Sequence, residues 1–173
     1  MKKLINILFI PIFIFSFSSI SLALYANLNH NIPYKEATWD SIEYSGYRPE
    51  YVTQEYIKEE VDKLFPEVNY ILNYKPIPGP TAGYTYIMLK LVYIDTNLSL
   101  EDYTLTLAHE LCHLRYFTAN ERYTNFKMFQ TLYESGNEYF KTVALAHADL
   151  DFRGLVTYEY SCAGYIEEYL RGK

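Results

Sequence analysis

Apolar and polar positions change their period several times along the chain. From Leu4 to Leu24 the sequence is almost continuously apolar, interrupted by Asn6, Pro11 and a few serines, and no polar side chain occurs from Ile7 to Phe15. Asn27 to Pro49 is polar and aromatic without a clear period and reads as an extended segment lying across the domain. Thr53 is placed to cap a helix whose Ile57, Val61 and Leu64 share one face, with Pro66 as its stop. Val68 to Tyr74, rich in β-branched and aromatic residues, predicts a strand. After the breaker Pro76-Ile77-Pro78-Gly79-Pro80 a second strand is expected from Tyr84 to Asp95. From Ser99 onward the period is helical, with breaks at Thr118 to Asn120, Ser135 to Asn137 and Gly154, which gives three or four helices. The expected class is α+β: a two- or three-stranded sheet packed on a helix, with further helices towards the C-terminus.

The apolar leader changes how the rest is read. Lys2 and Lys3 precede it and Ser21-Leu22-Ala23 offers small residues to a signal peptidase, the pattern of an export signal cleaved near Ala23 or Ala26. The other reading is an uncleaved tether, residues 4–24 crossing a bilayer with both lysines inside. Either way the domain is expected outside the cytoplasm, secreted or anchored, with residues 1–26 as leader and 27–173 as a single domain. Without the leader, 147 of the 173 residues remain and carry 13 basic against 21 acidic groups. That balance disfavours nucleic acid, which needs clustered Lys and Arg. Nineteen of the 20 tyrosines lie in this acidic part, so its charge signals a folded domain rather than disorder.

Two cysteines, Cys112 and Cys162, are able to pair in an exported chain. Cys162 also falls on the stripe Tyr158, Cys162, Tyr165, Ile166, Tyr169, where a buried free thiol is the ordinary reading. Neither has C-x-x-C spacing.

The densest chemistry is His109-Glu110-Leu111-Cys112-His113. Two imidazoles four residues apart stand on one side of a helix and are able to bind one ion, while Glu110 lies close enough to a water on that ion to act as general base. At about 100° per residue, Leu100, Tyr103, Leu107, Leu111 and Leu114 fall within roughly 40° of one direction, and both histidines point roughly 120° to 160° away from it. The leucine side should seat the helix on the core and the histidine side should face a cleft. Ser99 with Asp102 resembles a capping box that starts this helix.

A third ligand is needed. Tyr116 and Ala119 occupy the positions where a metzincin needs Gly and His, and His30 and His147 are distant in sequence, which leaves a carboxylate. Asn120 is able to cap a helix beginning Glu121-Arg122-Tyr123-Thr124-Asn125-Phe126, folded back beside the first. This puts Glu121 in reach as ligand and Asn125 one turn above it, able to bond the free nitrogen of a histidine. Glu134 and Glu138 are the alternative ligands.

These two segments together, with Thr124 where alanine is usual, resemble the gluzincin metallopeptidases and most of all their small bacterial members. The resemblance covers about Tyr84 to Phe129. It implies a small zincin-like domain, a bound zinc, a protein or peptide substrate, and an edge strand beside the active-site helix, here Tyr84 to Asp95, able to take an extended peptide onto the sheet. In such a peptidase Glu110 takes a proton from the attacking water and returns it to the leaving amine. Tyr158, Tyr160 and His147 are the candidate donors to the developing oxyanion, although His147, in His147-Ala148-Asp149, reads as exposed. Two other readings stay open: an inactive zinc-containing binding module, and a zinc hydrolase acting on a non-peptide amide of the cell envelope.

Overall fold

The computed structural model describes residues 48–173, so the leader and nearly all of the segment 27–49 lie outside the described residues. Among those described, no helix is long and apolar enough to cross a membrane. The order of elements is α1 (Gln54–Leu64), β1 (Ile71–Tyr74), β2 (Gly83–Tyr86), a 3-10 turn (Ile87–Leu89), β3 (Leu91–Ile94), α2 (Leu100–Tyr116), α3 (Glu121–Tyr133), α4 (Glu138–Phe152) and α5 (Ala163–Arg171). Among the described residues, five helices and a three-stranded mixed sheet make an α+β fold.

Each helix begins where its capping residue dictates. Thr53 accepts the Tyr56 N–H at 3.2 Å, Asn120 the Tyr123 N–H at 3.0 Å, and Asn137 those of Tyr139 and Phe140. A side-chain oxygen thus satisfies an N–H that has no partner within the helix. α5 is the exception: it starts at Ala163 with Cys162 at its cap position and no side-chain bond there, so Tyr158 falls outside the stripe expected for this helix. Both cysteines are buried free thiols.

The run expected as one strand from Tyr84 to Asp95 is a hairpin. After Tyr86 the chain tightens into the 3-10 turn and reverses through Lys90, whose φ of 53° is left-handed. No Gly, Pro or Asn marks that reversal, so the alternation continues through it in sequence although Met88 and Lys90 belong to no strand. The sheet order is β1-β3-β2, with β3 parallel to β1 and antiparallel to β2. The edge strand beside α2 is therefore Gly83–Tyr86 alone.

The sheet's two faces differ as the period of two requires. Val92 and Ile94 of β3 are fully buried and face the helices. On the other face Tyr84 stacks on Tyr93 at 4.9 Å, Tyr86 packs edge-on to both, and the Lys75 ammonium lies 4.9 and 4.6 Å from the Tyr84 and Tyr93 rings. The core runs from Ile57 and Val61 of α1 through Leu107 and Leu111 of α2 to Phe129, Phe140 and Ile166 of the later helices. α2 is the hub, packed by α1, β2, β3, α3 and α4. Its histidine side, expected to open on a cleft, is instead covered by α3.

One glycine sets how closely the edge strand approaches α2. A Cβ on Gly83 would stand 2.6 Å from Thr106 Cγ2, 2.9 Å from the Tyr93 carbonyl and 3.5 Å from Glu110 Cγ. Gly83→Ala is expected to lower stability in urea unfolding by about 1–3 kcal/mol, the usual cost of overpacking. Gly164→Ala, with nothing within 4 Å, should instead raise it by up to about 1 kcal/mol through helix propensity. Equal midpoints for the two variants would show that β2 has room to spare.

Candidate metal centre

Caps at both ends fix the register of α2. At its start Ser99 Oγ accepts the Asp102 N–H at 3.0 Å and donates to Asp102 Oδ2 at 2.9 Å. At its end Phe117 is left-handed, φ 48°, with its N–H bonded to the His113 carbonyl. That turn swings the chain back so that Glu121 opens α3 against the last two turns of α2. Ligand atoms of His109, His113 and Glu121 then all lie within 4.8 Å of one another, as expected from their spacing.

The partners of each imidazole assign its proton. His113 Nδ1 lies 2.7 Å from the Thr118 carbonyl, which only accepts, so Nδ1 carries the hydrogen. Thr124 Oγ1, itself donating to the Asn120 carbonyl at 2.9 Å, stands 3.3 Å from the same Nδ1. Asn125 donates through Nδ2 to the Tyr160 carbonyl at 2.7 Å, which turns its Oδ1 to His109 Nδ1, also at 2.7 Å. His109 therefore donates from Nδ1 as well. Both Nε2 atoms are left with lone pairs, and they face each other at 2.9 Å, with Glu121 Oε2 at 3.0 Å from His109 and 3.4 Å from His113. Three acceptors turned on one point repel unless something positive sits among them.

These separations suit donors placed about 2.0–2.2 Å from one shared ion, and two imidazoles with a carboxylate are a donor set that zinc accepts. The second nitrogen of each imidazole already has its acceptor, as bound metals usually require. A proton relieves the same contact. Burial would hold the His113 imidazole down, but its hydrogen bond to Glu121, the field of Glu110, the Thr118 carbonyl and the charge of Glu121 together outweigh that and raise it above the ordinary value. Burial likewise pushes Glu121 up, while a proton on the facing imidazoles, through hydrogen bonds from His109 and His113 and the charge it brings, more than reverses this and takes the carboxyl down to about 2. With an imidazolium or another cation beside it, Glu121 is therefore the carboxylate of this cluster.

Glu110 has a different environment. Only 5% exposed beneath β2, its carboxyl is pushed above the usual carboxylate range by burial, and the fields of His109 and His113 only partly offset this. Thr85 Oγ1 donates a long bond, 3.5 Å, to the Glu110 main-chain oxygen.

The other candidates separate clearly. Tyr160 stands at the site: its ring centroid is 6.5 Å from that of His109, it is 40% exposed, and burial raises its phenol, with the fields of Glu121, its neighbour Glu159 and Glu110 adding to the shift. Tyr158 does not: it is 81% exposed and stacked 3.8 Å under the Arg122 guanidinium. Glu134 binds Tyr169 and Lys173 near α5, and Glu138 lies exposed in the first turn of α4, so neither replaces Glu121 as a ligand in this arrangement. His147, read from the sequence as exposed, turns inward on the same arc of α4 as the buried Ala144, Ala148 and Asp151. Its Nε2 is buried with no hydrogen-bond partner. Burial lowers this imidazole to about 4, with Asp151 opposing and His109 adding to the shift. A third imidazole thus stands, neutral, in the field of the candidate ligands. Sequence reasoning missed the Thr118 carbonyl, the role of Gly83 and the depth of His147; of these only the small residue before Tyr84 left any signal.

Comparison of the chain with protein-family models, with curated proteins and with solved structures returns no match at any of the three levels.

His147 should leave a trace in the pH dependence of stability. Below about pH 6.5 the unfolded chain takes up a proton that the folded chain refuses until about pH 4, so stability falls as pH drops through that window. At 1.36 kcal/mol per unit, the whole effect is about 3 kcal/mol. His147→Gln is expected to flatten this slope in denaturant melts between pH 4 and 6.5. An unchanged slope would mean that the imidazole is solvated.

Proposed function

We propose that this chain is a zinc-dependent peptidase with a gluzincin-like arrangement, acting outside the cytoplasm on a protein or peptide. The observation that carries this reading is the set of three converging acceptors, two imidazole lone pairs and one ionised carboxylate, each held from behind by a hydrogen bond or a helix cap. His109, His113 and Glu121 would hold the ion. Bound there, zinc supplies a Lewis acid that brings the pKa of water towards neutrality and polarises a carbonyl.

The chain's own residues supply the rest. Glu110 is suited to general-base work because its burial keeps the carboxyl readier to accept a proton than an exposed glutamate, and readier to hold it for the leaving amine. Tyr160, from the loop before α5, is the favoured donor to the oxyanion, and His147 the second, its Nε2 having no partner of its own. A polypeptide is the favoured substrate because of β2. The Asp95 N–H donates to the Ala82 carbonyl at 2.9 Å, so with the β2–β3 register the peptide groups of Tyr84 and Tyr86 face β3 and those of Gly83 and Thr85 face the free edge. The same two residues approach Glu110 and its helix, so a strand added at this edge would run across the candidate centre. The leader supports an extracytoplasmic site of action.

The reading is tested by metal content and hydrolysis together. Purified protein is expected to carry zinc near one equivalent, sharply reduced in His109→Ala, His113→Ala and Glu121→Ala by elemental analysis. Glu110→Gln should keep zinc and fold while peptide hydrolysis falls by about 10²–10⁴-fold. Hydrolysis that survives both chelation and Glu110→Gln would overturn the proposal. Zinc retained without hydrolysis of any peptide would favour a binding module.

A further inference from the structure

The stretch between α4 and α5 is irregular, yet it is tied down at three points. Arg122 donates from Nε and Nη2 to the Tyr158 carbonyl at 3.0 and 2.9 Å. Asn125 donates to the Tyr160 carbonyl at 2.7 Å. The Cys162 N–H donates to Asp151 Oδ2 at 2.7 Å. The first two ties come from the helix that begins with Glu121, one and four residues further on. Their environments differ: the Arg122 tie is at the surface, whereas Asn125 is 5% exposed.

We propose that Asn125 is a positioning residue that couples the His109 imidazole to the Tyr160 loop, so that filling the metal centre sets the placement of Tyr160. A primary amide is one rigid plane with its acceptor on one side and its donors on the other. Here the acceptor holds His109 Nδ1–H and a donor holds the Tyr160 carbonyl, both at 2.7 Å. A shift of the imidazole as its Nε2 takes up an ion is carried through that plane to the backbone of Tyr160. At 5% exposure the amide has little contact with solvent that could replace either bond. An aspartate in this position would serve the histidine equally but would present an oxygen to the Tyr160 carbonyl. The choice of amide over carboxylate is thus what makes the link two-ended.

The inference rests on the metal-centre reading but not on hydrolysis, and the experiment separates the two. Hydrogen exchange of the amides of residues 157–162 is followed in the full chain, with and without one equivalent of zinc, for wild type, Asn125→Asp and Asn125→Ala. In the wild type zinc is expected to slow exchange of these amides by roughly tenfold, as expected when local opening is suppressed. Asn125→Asp should bind zinc within about threefold of wild type, since the His109 partner is kept, while loop exchange becomes fast and insensitive to zinc. Asn125→Ala, which serves if the aspartate variant does not fold, should show the same insensitive loop and a zinc affinity about 10–100-fold weaker. If peptide hydrolysis is present, Asn125→Asp should lower kcat with KM little changed, and adding it to Tyr160→Phe should cost nothing further. Zinc slowing loop exchange equally in wild type and Asn125→Asp overturns the coupling. So does Asn125→Asp losing zinc as severely as Asn125→Ala, which would leave Asn125 as an orienting partner of His109 only. If the wild type binds zinc and its loop responds but no peptide is cleaved, the peptidase reading fails and the coupling stands; if it binds no zinc, both fall.

Discussion

The local arrangement of this domain turns on one electrostatic conflict. Two imidazole lone pairs and a carboxylate oxygen are brought within 2.9 to 3.4 Å of one another by elements that have independent reasons to be where they are. Their alignment is enforced from behind. The Thr118 carbonyl holds one ring, the Asn125 amide the other, and the Asn120 cap fixes the start of the helix that carries Glu121. None of these groups can turn away without stranding a buried donor or acceptor, which costs about 1–3 kcal/mol each. A cation placed among them would relieve the conflict, which is what makes this cluster a candidate metal centre.

Everything else serves to hold two helix ends together and bring a strand edge to them. α2 is buried nearly all round, so it cannot rotate to relax the histidines. α4 packs on both α2 and α3 and presents a third imidazole from within. The sheet contributes least to the core and most to access: β2 is four residues long, and Gly83 lets its backbone approach as close as Thr106 and the Tyr93 carbonyl allow. A wider side chain there would lift the edge from Glu110. Closeness of strand to helix is thus set by a missing atom.

The parts of this arrangement that can be read in the sequence are those governed by local rules. Thr53, Ser99, Asn120 and Asn137 are caps because their side chains reach an N–H two or three residues ahead, and such contacts depend on little else. His109, His113 and Glu121 follow from helical spacing plus one short turn. What could not be read depends on atoms without a residue-specific signature. The Thr118 carbonyl is the same in every residue type, and the reversal at Lys90 uses a residue that rarely adopts φ near 53°. His147 looks exposed because its neighbours Ala146 and Asp149 are small or charged, yet the buried arc of α4 passes through it. Tyr160 among so many tyrosines has no mark of its own; its position comes from Asn125, thirty-five residues away.

The cysteine enclosed within the pair of histidines has a chemical consequence. Cys112 is one residue from His113 but turned about 100° from it around α2, beside Thr131 of α3; it is fully buried, and burial pushes its thiol up to about 12. A sulfur that close to a metal centre would ordinarily compete for the ion or be the first atom consumed by an oxidant, since thiolate is the reactive form. Here the sulfur remains a protonated, core-filling atom. A metal held by His109, His113 and Glu121 would therefore meet only nitrogen and oxygen donors, with the neighbouring sulfur kept as a protonated thiol.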